Sequence, residues 1–349
     1  MDTPLTLPLP IKSHKIHTIE MHTTGEPTRI IYSGFPSLPG FLLTQRSHAK
    51  AHHDNIHRQL VLEPRGHWDM YGAILRPNTE LVDSDMRIWK RASFDEVAQT
   101  TKINLHAPCG IIQITVPTKE GGYVSDSTRQ ISFISVPSFA TGIQVDVSIP
   151  EDLRWPELGE RRSVMVDISY GGTFYCIIPA AELGFSSSLD AINASSEMQQ
   201  YLRHPESEEL GFLYSVMVVE EGRGVASEGC VGVETGLCFF ADQQVDRSPT
   251  GGAVAARVAL AFAKNERNRG ERWTYHSVVS NGFGGCGGFV GSVVEEEMVQ
   301  GGGEVGGGVG VAVRVKVEGM AYYTGTSCFV VEEGDRIGGE GFSLKGLMG

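Results

Sequence analysis

Residues 246–252 read DRSPTGG, and residues 253–263 continue as AVAARVALAFA, the clearest helical pattern in the chain. Large apolar residues recur there at a spacing of four among small alanines, namely Val254, Val258 and Phe262. This period predicts an α-helix with a buried interior. Ser248 is expected to cap the helix, and Pro249 is expected to take its first helical position. The segment therefore predicts a buried helix whose first turn carries no bulky side chain.

The predicted helix start has the properties of a carboxylate-binding site. Free backbone N–H groups and the positive end of the helix dipole attract an anion together, and Gly251 and Gly252 leave those donors unshielded. Asp246 lies just upstream and can supply a negative charge for an ammonium group. The pattern is thus suited to an amino or imino acid. A capped helix without a ligand is the commoner reason for such residues, so both interpretations stay open here.

Most of the remaining chain reads as short strands separated by turns. Alternating or β-branched segments predict strands at 17–22, 28–32, 70–75, 102–106, 111–116, 131–136, 163–179 and 309–317, with a glycine-eased turn at 170–174. Helix-compatible composition covers 44–62 and 189–203, whereas 82–99 is polar and has no clear period. The chain is therefore expected to be an α/β (α+β) protein. Its 349 residues favour two lobes, because a single core rarely grows to that size.

Composition excludes several classes of partner. The formal net charge of -13 argues against nucleic acid, which requires a dense basic face. No apolar stretch is long enough to span a membrane, and residues 1–13 are expected to be a disordered leader rather than a secretion signal. Six cysteines occur without a Cys-x-x-Cys pair, which is typical of free thiols in a reducing compartment. We therefore expect a cytoplasmic protein without disulfides.

Neither a metal nor a nucleotide cofactor is expected. His48, His52, His53 and His57 include two pairs at helical spacing, but no third ligand accompanies them, and a solvated helix face is the favoured interpretation. The glycine run at 301–308 precedes a strand, whereas a dinucleotide-binding turn follows a strand and opens a helix. The glycines at 282–288 also lack a following helix pattern.

Several segments taken together resemble one known family. Residues 246–251 are similar to the motif Asp-Arg-Ser-Pro-Cys-Gly of the proline racemase superfamily, with Thr250 at the position of the second catalytic Cys. Other segments resemble the same family in the same order, namely HTTGEP at 22–27, EPRGHWDMYGA at 63–73, VPSF at 136–139, YGGTF at 170–174 and YTGT at 323–326. The resemblance covers nearly the whole chain.

The threonine indicates a branch of this family. Racemisation uses an acid and a base on opposite faces of the α-carbon, and an alcohol cannot replace a thiol as the base. The branch with threonine here is the trans-3-hydroxy-L-proline dehydratases, in which one Cys removes the α-proton and the 3-hydroxyl leaves as water. The resemblance implies Δ1-pyrroline-2-carboxylate as product, no cofactor, and an imino acid bound by Asp246, Gly251 and Gly252. Thr250 would occupy the second acid/base position, where it cannot act as a base.

The chain departs from the family at the first catalytic motif. Met-Cys-Gly-His should lie between residues 73 and 106, where RIWKRASFD at 87–95 has neither Cys nor His. Cys109 is the nearest thiol and a candidate substitute, although its Pro-Cys-Gly context is more typical of a structural residue. Either an exon is missing from the sequence or the chain binds without turnover. A non-catalytic imino-acid binder and a proline racemase or hydroxyproline epimerase relative are therefore kept as alternatives.

The resemblance also implies a fold, that of proline racemase and diaminopimelate epimerase. Two similar lobes would each wrap a bent sheet or barrel around a central helix, with the substrate between them. Residues 14–140 and 325–349 would form the N-terminal lobe, and residues 141–324 the C-terminal lobe. Without the Met-Cys-Gly-His segment the first lobe is expected to be underpacked. The resemblance is also compatible with a homodimer.

Overall fold

A computed structural model describes residues 14–76, 93–184, 213–240, 244–300 and 309–347. The chain divides into two compact units. The first consists of Met1–His22, Pro27–Glu80 and Tyr322–Gly349, and the second of Thr23–Glu26 and Leu81–Ala321. No helix among the described residues is both long and apolar enough to cross a membrane.

The first unit is built on a four-stranded sheet. Its order is β17 (Tyr322–Val331), β1 (His14–Thr23), β2 (Glu26–Ser33) and β3 (Tyr71–Ile74). β1 pairs antiparallel with β17, and β2 pairs parallel with β3. Helices α1 (Leu42–His52) and α2 (Asp54–Val61) precede β3, and two short helices, α5 (Arg336–Glu340) and α6 (Leu344–Leu347), follow β17.

The core of the first unit is small and leaves a cavity. One cluster of buried apolar side chains comes from β1, β2 and α2 and consists of Ile16, Ile31, Ile56, Leu60 and Val61. A cavity of about 300 Å³ lies beside them and is lined by residues of β2, α1, α2 and β3, including Ala73. The expectation that this part of the molecule is weakly stable stays a prediction.

The helix expected over 44–62 is wrong as a single element. His53 ends α1 and begins α2, because its backbone angles of φ -133° and ψ 19° are not helical. Its N–H still donates to the carbonyl of Ala49, which closes the last turn of α1. The composition of 44–62 is therefore helical throughout and gives no sign of the break at His53.

The second unit contains a thirteen-stranded sheet. Its strands β4 to β10 are Ser93–Asp95, Thr100–Ala107, Gly110–Lys119, Val124–Ser125, Ile131–Ile134, Phe139–Ser148 and Ser163–Tyr170. Strands β11 to β16 are Phe174–Pro179, Leu213–Glu221, Gly232–Phe239, Trp273–His276, Phe289–Gln300 and Val309–Gly319. The order is β4-β5-β6-β8-β16-β15-β14-β13-β12-β11-β10-β9, and β7 pairs with β6.

This sheet encloses the helix predicted from the sequence, α3 (Gly251–Ala263). A bridge between Ser138 and Val313 joins the residue before β9 to β16, so the strands from β16 to β9 return on themselves. Residues 253–261 of α3 are all buried, and the helix packs against strands on several sides. Alanine and valine allow this, because small side chains let strands approach the helix axis closely. A short helix, α4 (Val278–Gly282), follows β14.

The observed division differs from the boundary expected at residue 140. Strands were expected at 102–106, 111–116 and 131–136, and β5, β6 and β8 lie there. All three belong to the sheet of the second unit, because β8 pairs with β16. The expected leader, the helix at 189–203 and the glycine run at 301–308 lie outside the described residues.

Candidate active site

The segment 246–252 leads into α3, but the helix begins later than the pattern predicts. Thr250 is the N-cap residue and Gly251 is the first helical residue. The Ser248 hydroxyl accepts a hydrogen bond from the Thr250 N–H at 3.1 Å rather than from an amide inside the helix. The prediction that Ser248 caps the helix and Pro249 opens it is therefore wrong, because residues 248–250 form a tight turn ahead of the helix.

Asp246 organises this turn through its side chain. Its Oδ1 accepts the Ser248 N–H at 2.7 Å, and its Oδ2 accepts the Thr250 hydroxyl at 2.7 Å. The Asp246 N–H donates to the carbonyl of Cys238 on β13 at 3.0 Å. Asp246 is 6% exposed and Thr250 is 7% exposed. Two of the residues predicted for the site are thus in direct contact, with the hydroxyl proton of Thr250 directed at the carboxylate.

The backbone of Thr250 is strained. Its φ of 62° and ψ of 96° lie in a region that β-branched residues rarely adopt. Such a conformation costs about 1–3 kcal/mol and persists only where surrounding contacts impose it. Hydrogen bonds to Asp246 and Ser248 supply those contacts. Strained residues of this kind concentrate at binding and catalytic sites, which favours a functional reason for this one.

Gly251 and Gly252 form the first turn of α3, and both are partly exposed. Helix geometry gives the first amides no acceptor within the helix, so they can bind an external anion. A Cβ atom on Gly252 would lie 2.5 Å from the Tyr175 hydroxyl oxygen, and one on Gly251 would lie 3.1 Å from the Phe133 ring. A Cβ atom on Gly171 would lie 2.1 Å from the Gly252 carbonyl oxygen. Close packing therefore requires glycine at the helix start.

Burial controls the protonation of the groups behind Thr250. It raises the pKa of Asp246, and hydrogen bonds from Thr250 and Ser248 oppose that shift. Burial also raises the pKa of the Cys238 thiol to about 12. This thiol donates to the Ser215 hydroxyl at 3.2 Å. Cys238 is thus a neutral thiol at physiological pH and does not provide a base.

Cys109, the candidate substitute thiol, lies in the turn between β5 and β6. Its side chain is half-buried, and burial raises its pKa. A Cβ atom on Gly172 would lie 3.4 Å from its Sγ, and the adjacent Gly171 packs on Gly252. Cys109 therefore contacts the same turn that contacts the helix start. Its burial favours the neutral thiol over the thiolate that proton abstraction needs.

Glu26 is a site residue that sequence reasoning missed. Its Oε2 accepts the Arg247 N–H at 2.8 Å and lies 3.5 Å from Arg247 Nη1. Burial, followed by the charge of Asp246, raises the pKa of Glu26 to about 7, although its contacts with Arg247 oppose the shift. The two residues are 221 positions apart. The segment 22–27 was recognised as a family motif, but no local pattern places it beside Arg247.

Of the histidines expected on a solvated face, His48 and His52 lie on α1, His57 lies on α2, and His53 separates the two helices. The rings of His48 and His52 are 4.4 Å apart, as their helical spacing predicts. In the described parts of the chain, no group of three His, Cys, Asp or Glu side chains is placed to hold a metal ion.

Comparison with known proteins gives the family. A sequence profile described as proline racemase matches residues 18–87 and 94–343. The chain belongs to the proline racemase family. Trans-L-3-hydroxyproline dehydratase of Mus musculus is 35% identical to it, with 95% of each chain covered. Trans-3-hydroxy-L-proline dehydratase of Homo sapiens is 33% identical with the same coverage.

Solved structures of the proline racemase family share the fold. A hydroxyproline epimerase from Agrobacterium vitis, crystallised with bound trans-4-OH-L-proline, superposes with a TM-score of 0.74. The superposition covers 96% of this chain and 97% of that one, at 19% sequence identity. The likeness supports the expected proline racemase fold and, at this identity, only the fold.

The comparisons also bear on the departure at residues 87–95. The match to the proline racemase profile stops at residue 87 and resumes at residue 94. The alignment with the mouse enzyme extends over 367 residues, more than the 349 of this chain. That enzyme therefore has residues without a counterpart here. The interruption falls in the region where the resemblance places the Met-Cys-Gly-His motif, and residues 77–92 are not among those described.

Proposed function

We propose that this chain is a hydro-lyase that converts trans-3-hydroxy-L-proline to Δ1-pyrroline-2-carboxylate and water. The hydrogen bond from the Thr250 hydroxyl to Asp246 at the helix start carries the proposal, because it places an alcohol that is not a base where racemisation requires a second base. The identity with the mouse and human dehydratases supports the same reaction. One face of the α-carbon then lacks a base, which suits elimination rather than racemisation.

The helix start would hold both charged groups of the substrate. The first amides of α3, at Gly251 and Gly252, would bind the carboxylate, aided by the helix dipole. Asp246 would pair with the secondary ammonium. Its Oδ1 accepts the Ser248 N–H and its Oδ2 accepts the Thr250 hydroxyl, and a carboxylate oxygen has capacity for more than one hydrogen bond. This arrangement fixes the orientation of the five-membered ring above Thr250.

The reaction consists of proton transfers and the cleavage of one C–O bond. A base removes the α-proton, the C3–O bond breaks, and the 3-hydroxyl takes up a proton and leaves as water. The resulting enamine tautomerises to the cyclic imine. No redox step occurs, so we propose that the enzyme is independent of cofactors. The free-thiol pattern of its six cysteines supports a cytoplasmic location.

A non-catalytic imino-acid binder is the second candidate. It is favoured by the interrupted family match at 88–93 and by the half-buried state of Cys109. In this case the helix start would still bind an imino acid, but no group would remove the α-proton.

Incubation of the purified chain with trans-3-hydroxy-L-proline separates the two functions. The pyrroline product is detected as a coloured adduct with o-aminobenzaldehyde, and binding is measured by calorimetry. We expect Thr250→Ser, which keeps the hydroxyl, to retain activity and Thr250→Val to lose it by about 100-fold. Loss of product on Cys109→Ser would identify the substitute base.

Each outcome has a distinct meaning. Binding without product in every variant supports the binder and rejects the hydro-lyase. Product formation that is unchanged in Thr250→Val would show that the hydroxyl at this position is not used. Absence of both product and binding rejects an imino-acid site.

A further inference from the structure

The motif at 22–27 contributes a carboxyl group that the proposed chemistry does not use. Glu26 opens β2 and is 8% exposed. Its Oε2 holds the backbone N–H of Arg247 at 2.8 Å, and the guanidinium of the same residue lies 3.5 Å away. A buried carboxyl committed to a backbone amide is well placed to fix the path of that backbone.

Arg247 is held from both sides of its peptide backbone. Glu26 accepts its N–H, and the Ser277 hydroxyl donates to its carbonyl oxygen at 2.5 Å. Arg247 stands between Asp246 and Ser248, whose contacts form the turn before α3. A change in the charge or position of the Glu26 carboxyl therefore reaches Asp246 through one intervening residue, Arg247.

The charges around Glu26 are unevenly balanced. The charged groups acting on it, among the described residues, are Asp246 and Arg247. Asp246 is buried, whereas the Arg247 side chain is 32% exposed and thus better solvated. Burial and the Asp246 charge together outweigh Arg247 and raise the pKa of Glu26 to about 7. This carboxyl changes its charge within the physiological range.

We propose that Glu26 is a positioning residue whose protonation state controls imino-acid binding at the helix start. The inference rests on the proposed function. Ionised Glu26 anchors the Arg247 amide strongly and adds a second negative charge beside Asp246, which attracts the secondary ammonium. Protonated Glu26 loses that charge and accepts the amide hydrogen bond more weakly. Binding should therefore be tighter above neutrality than below it.

The test uses L-proline as the probe, because it lacks the 3-hydroxyl and cannot be dehydrated. Calorimetric titrations from pH 5.5 to 8.5 compare the unchanged chain with Glu26→Gln, which keeps the side-chain size and an acceptor. Glu266→Gln removes an exposed carboxylate of the same unit and serves as the matched control. We expect the Kd of the unchanged chain and of the control to fall about tenfold between pH 6 and 8, and that of Glu26→Gln to stay constant.

Unfolding without ligand provides a second measurement. The pKa of Glu26 is higher in the folded chain than its usual value of 4.5, so the folded state holds this proton more tightly. The stability that this group contributes is thus present below pH 4.5 and is lost as the pH rises to about 7. Glu26→Gln should lack this loss while remaining folded.

The possible outcomes distinguish failure of the Glu26 inference from failure of the proposed function. L-proline binding that depends on pH equally in the unchanged chain and in Glu26→Gln overturns the role of Glu26 alone. An identical pH dependence of unfolding in both chains also overturns it. No L-proline binding at any pH rejects the imino-acid site, and the inference with it.

Discussion

Replacing Glu234 by glutamine tests the ion-pair network between α3 and the surrounding sheet. Glu234 on β13 accepts hydrogen bonds from Nε of Arg257 on α3 and from Nη2 of Arg267, the latter at 3.1 Å. The three residues are between 2% and 9% exposed. Among the described residues, Nη1 and Nη2 of Arg257 have no hydrogen-bond partner. One carboxylate thus compensates two buried guanidinium groups.

Because one carboxylate compensates two guanidinium groups, its removal should cause a large loss of stability. Breaking a buried ion pair by removing one partner costs about 3–5 kcal/mol, because the remaining charge is left uncompensated. A domain is stable by only about 5–15 kcal/mol, so Glu234→Gln should consume a large share of that margin. Urea unfolding followed by circular dichroism should show a midpoint lowered by roughly 1 M or more.

Acid should reduce the difference in stability between the unchanged chain and Glu234→Gln. Burial alone raises the pKa of Glu234, but Arg257 and Arg267 outweigh it, so the net pKa is lowered from its usual value of 4.5. A carboxylate with a lowered pKa stabilises the fold above its unfolded value and loses this contribution as the pH falls through its folded value. The advantage of the unchanged chain should therefore be complete at pH 7 and decrease below pH 4.5.

A surface pair provides the control. Arg223 and Glu220 are 2.8 Å apart, with side chains 32% and 28% exposed. Glu220→Gln should cost about 0–1 kcal/mol. A loss in Glu234→Gln no larger than that of Glu220→Gln would refute the argument that Glu234 compensates both guanidinium groups.

Two further substitutions test packing. Gly171→Ala places a Cβ atom 2.1 Å from the Gly252 carbonyl oxygen and 2.6 Å from the Ala256 nitrogen. It should cost about 1–3 kcal/mol and weaken L-proline binding, whereas Gly282→Ala, which meets no atom within 4 Å, should leave binding unchanged. Ala73→Leu extends into the cavity of about 300 Å³ in the first unit and should slow hydrogen exchange in β2 by a stabilisation of about 1 kcal/mol. Faster exchange there would show that the cavity does not accommodate the larger side chain.

The buried helix was predictable from sequence, but its first residue was not. The spacing of Val254 and Val258 among alanines reflects a helix packed on several sides, and α3 is such a helix. Its start depends instead on the hydrogen bonds that hold Thr250 at a positive φ. Local propensity favours Ser248 as a cap, and these contacts override it.

β13, a strand that carries a buried polar residue, was also not predicted from the sequence. β13 reads GVETGLCF, with a glutamate and two glycines, and has no simple alternation. Glu234 is tolerated there because arginines from outside the strand neutralise it, and Gly236 is required because its Cβ would lie 2.6 Å from Arg257 Nη1. Such reasons lie in the tertiary structure, as does the contact between Glu26 and Arg247. Motif resemblance predicted the candidate site at 246–252, whereas the contact of Glu26 with this segment is visible only in the fold.

The pairing of β1 with β17 has a consequence for synthesis on the ribosome. His17 and Cys328 face each other across this ladder and are 311 residues apart. At about 5–20 residues per second, roughly 15–60 s pass between the emergence of the two strands. Throughout that interval β1 has one edge without its final neighbour, whereas the strands of the second unit emerge in between and can pair with one another. Another chain can pair with an unpaired strand edge, so β1 is exposed to aggregation during this interval.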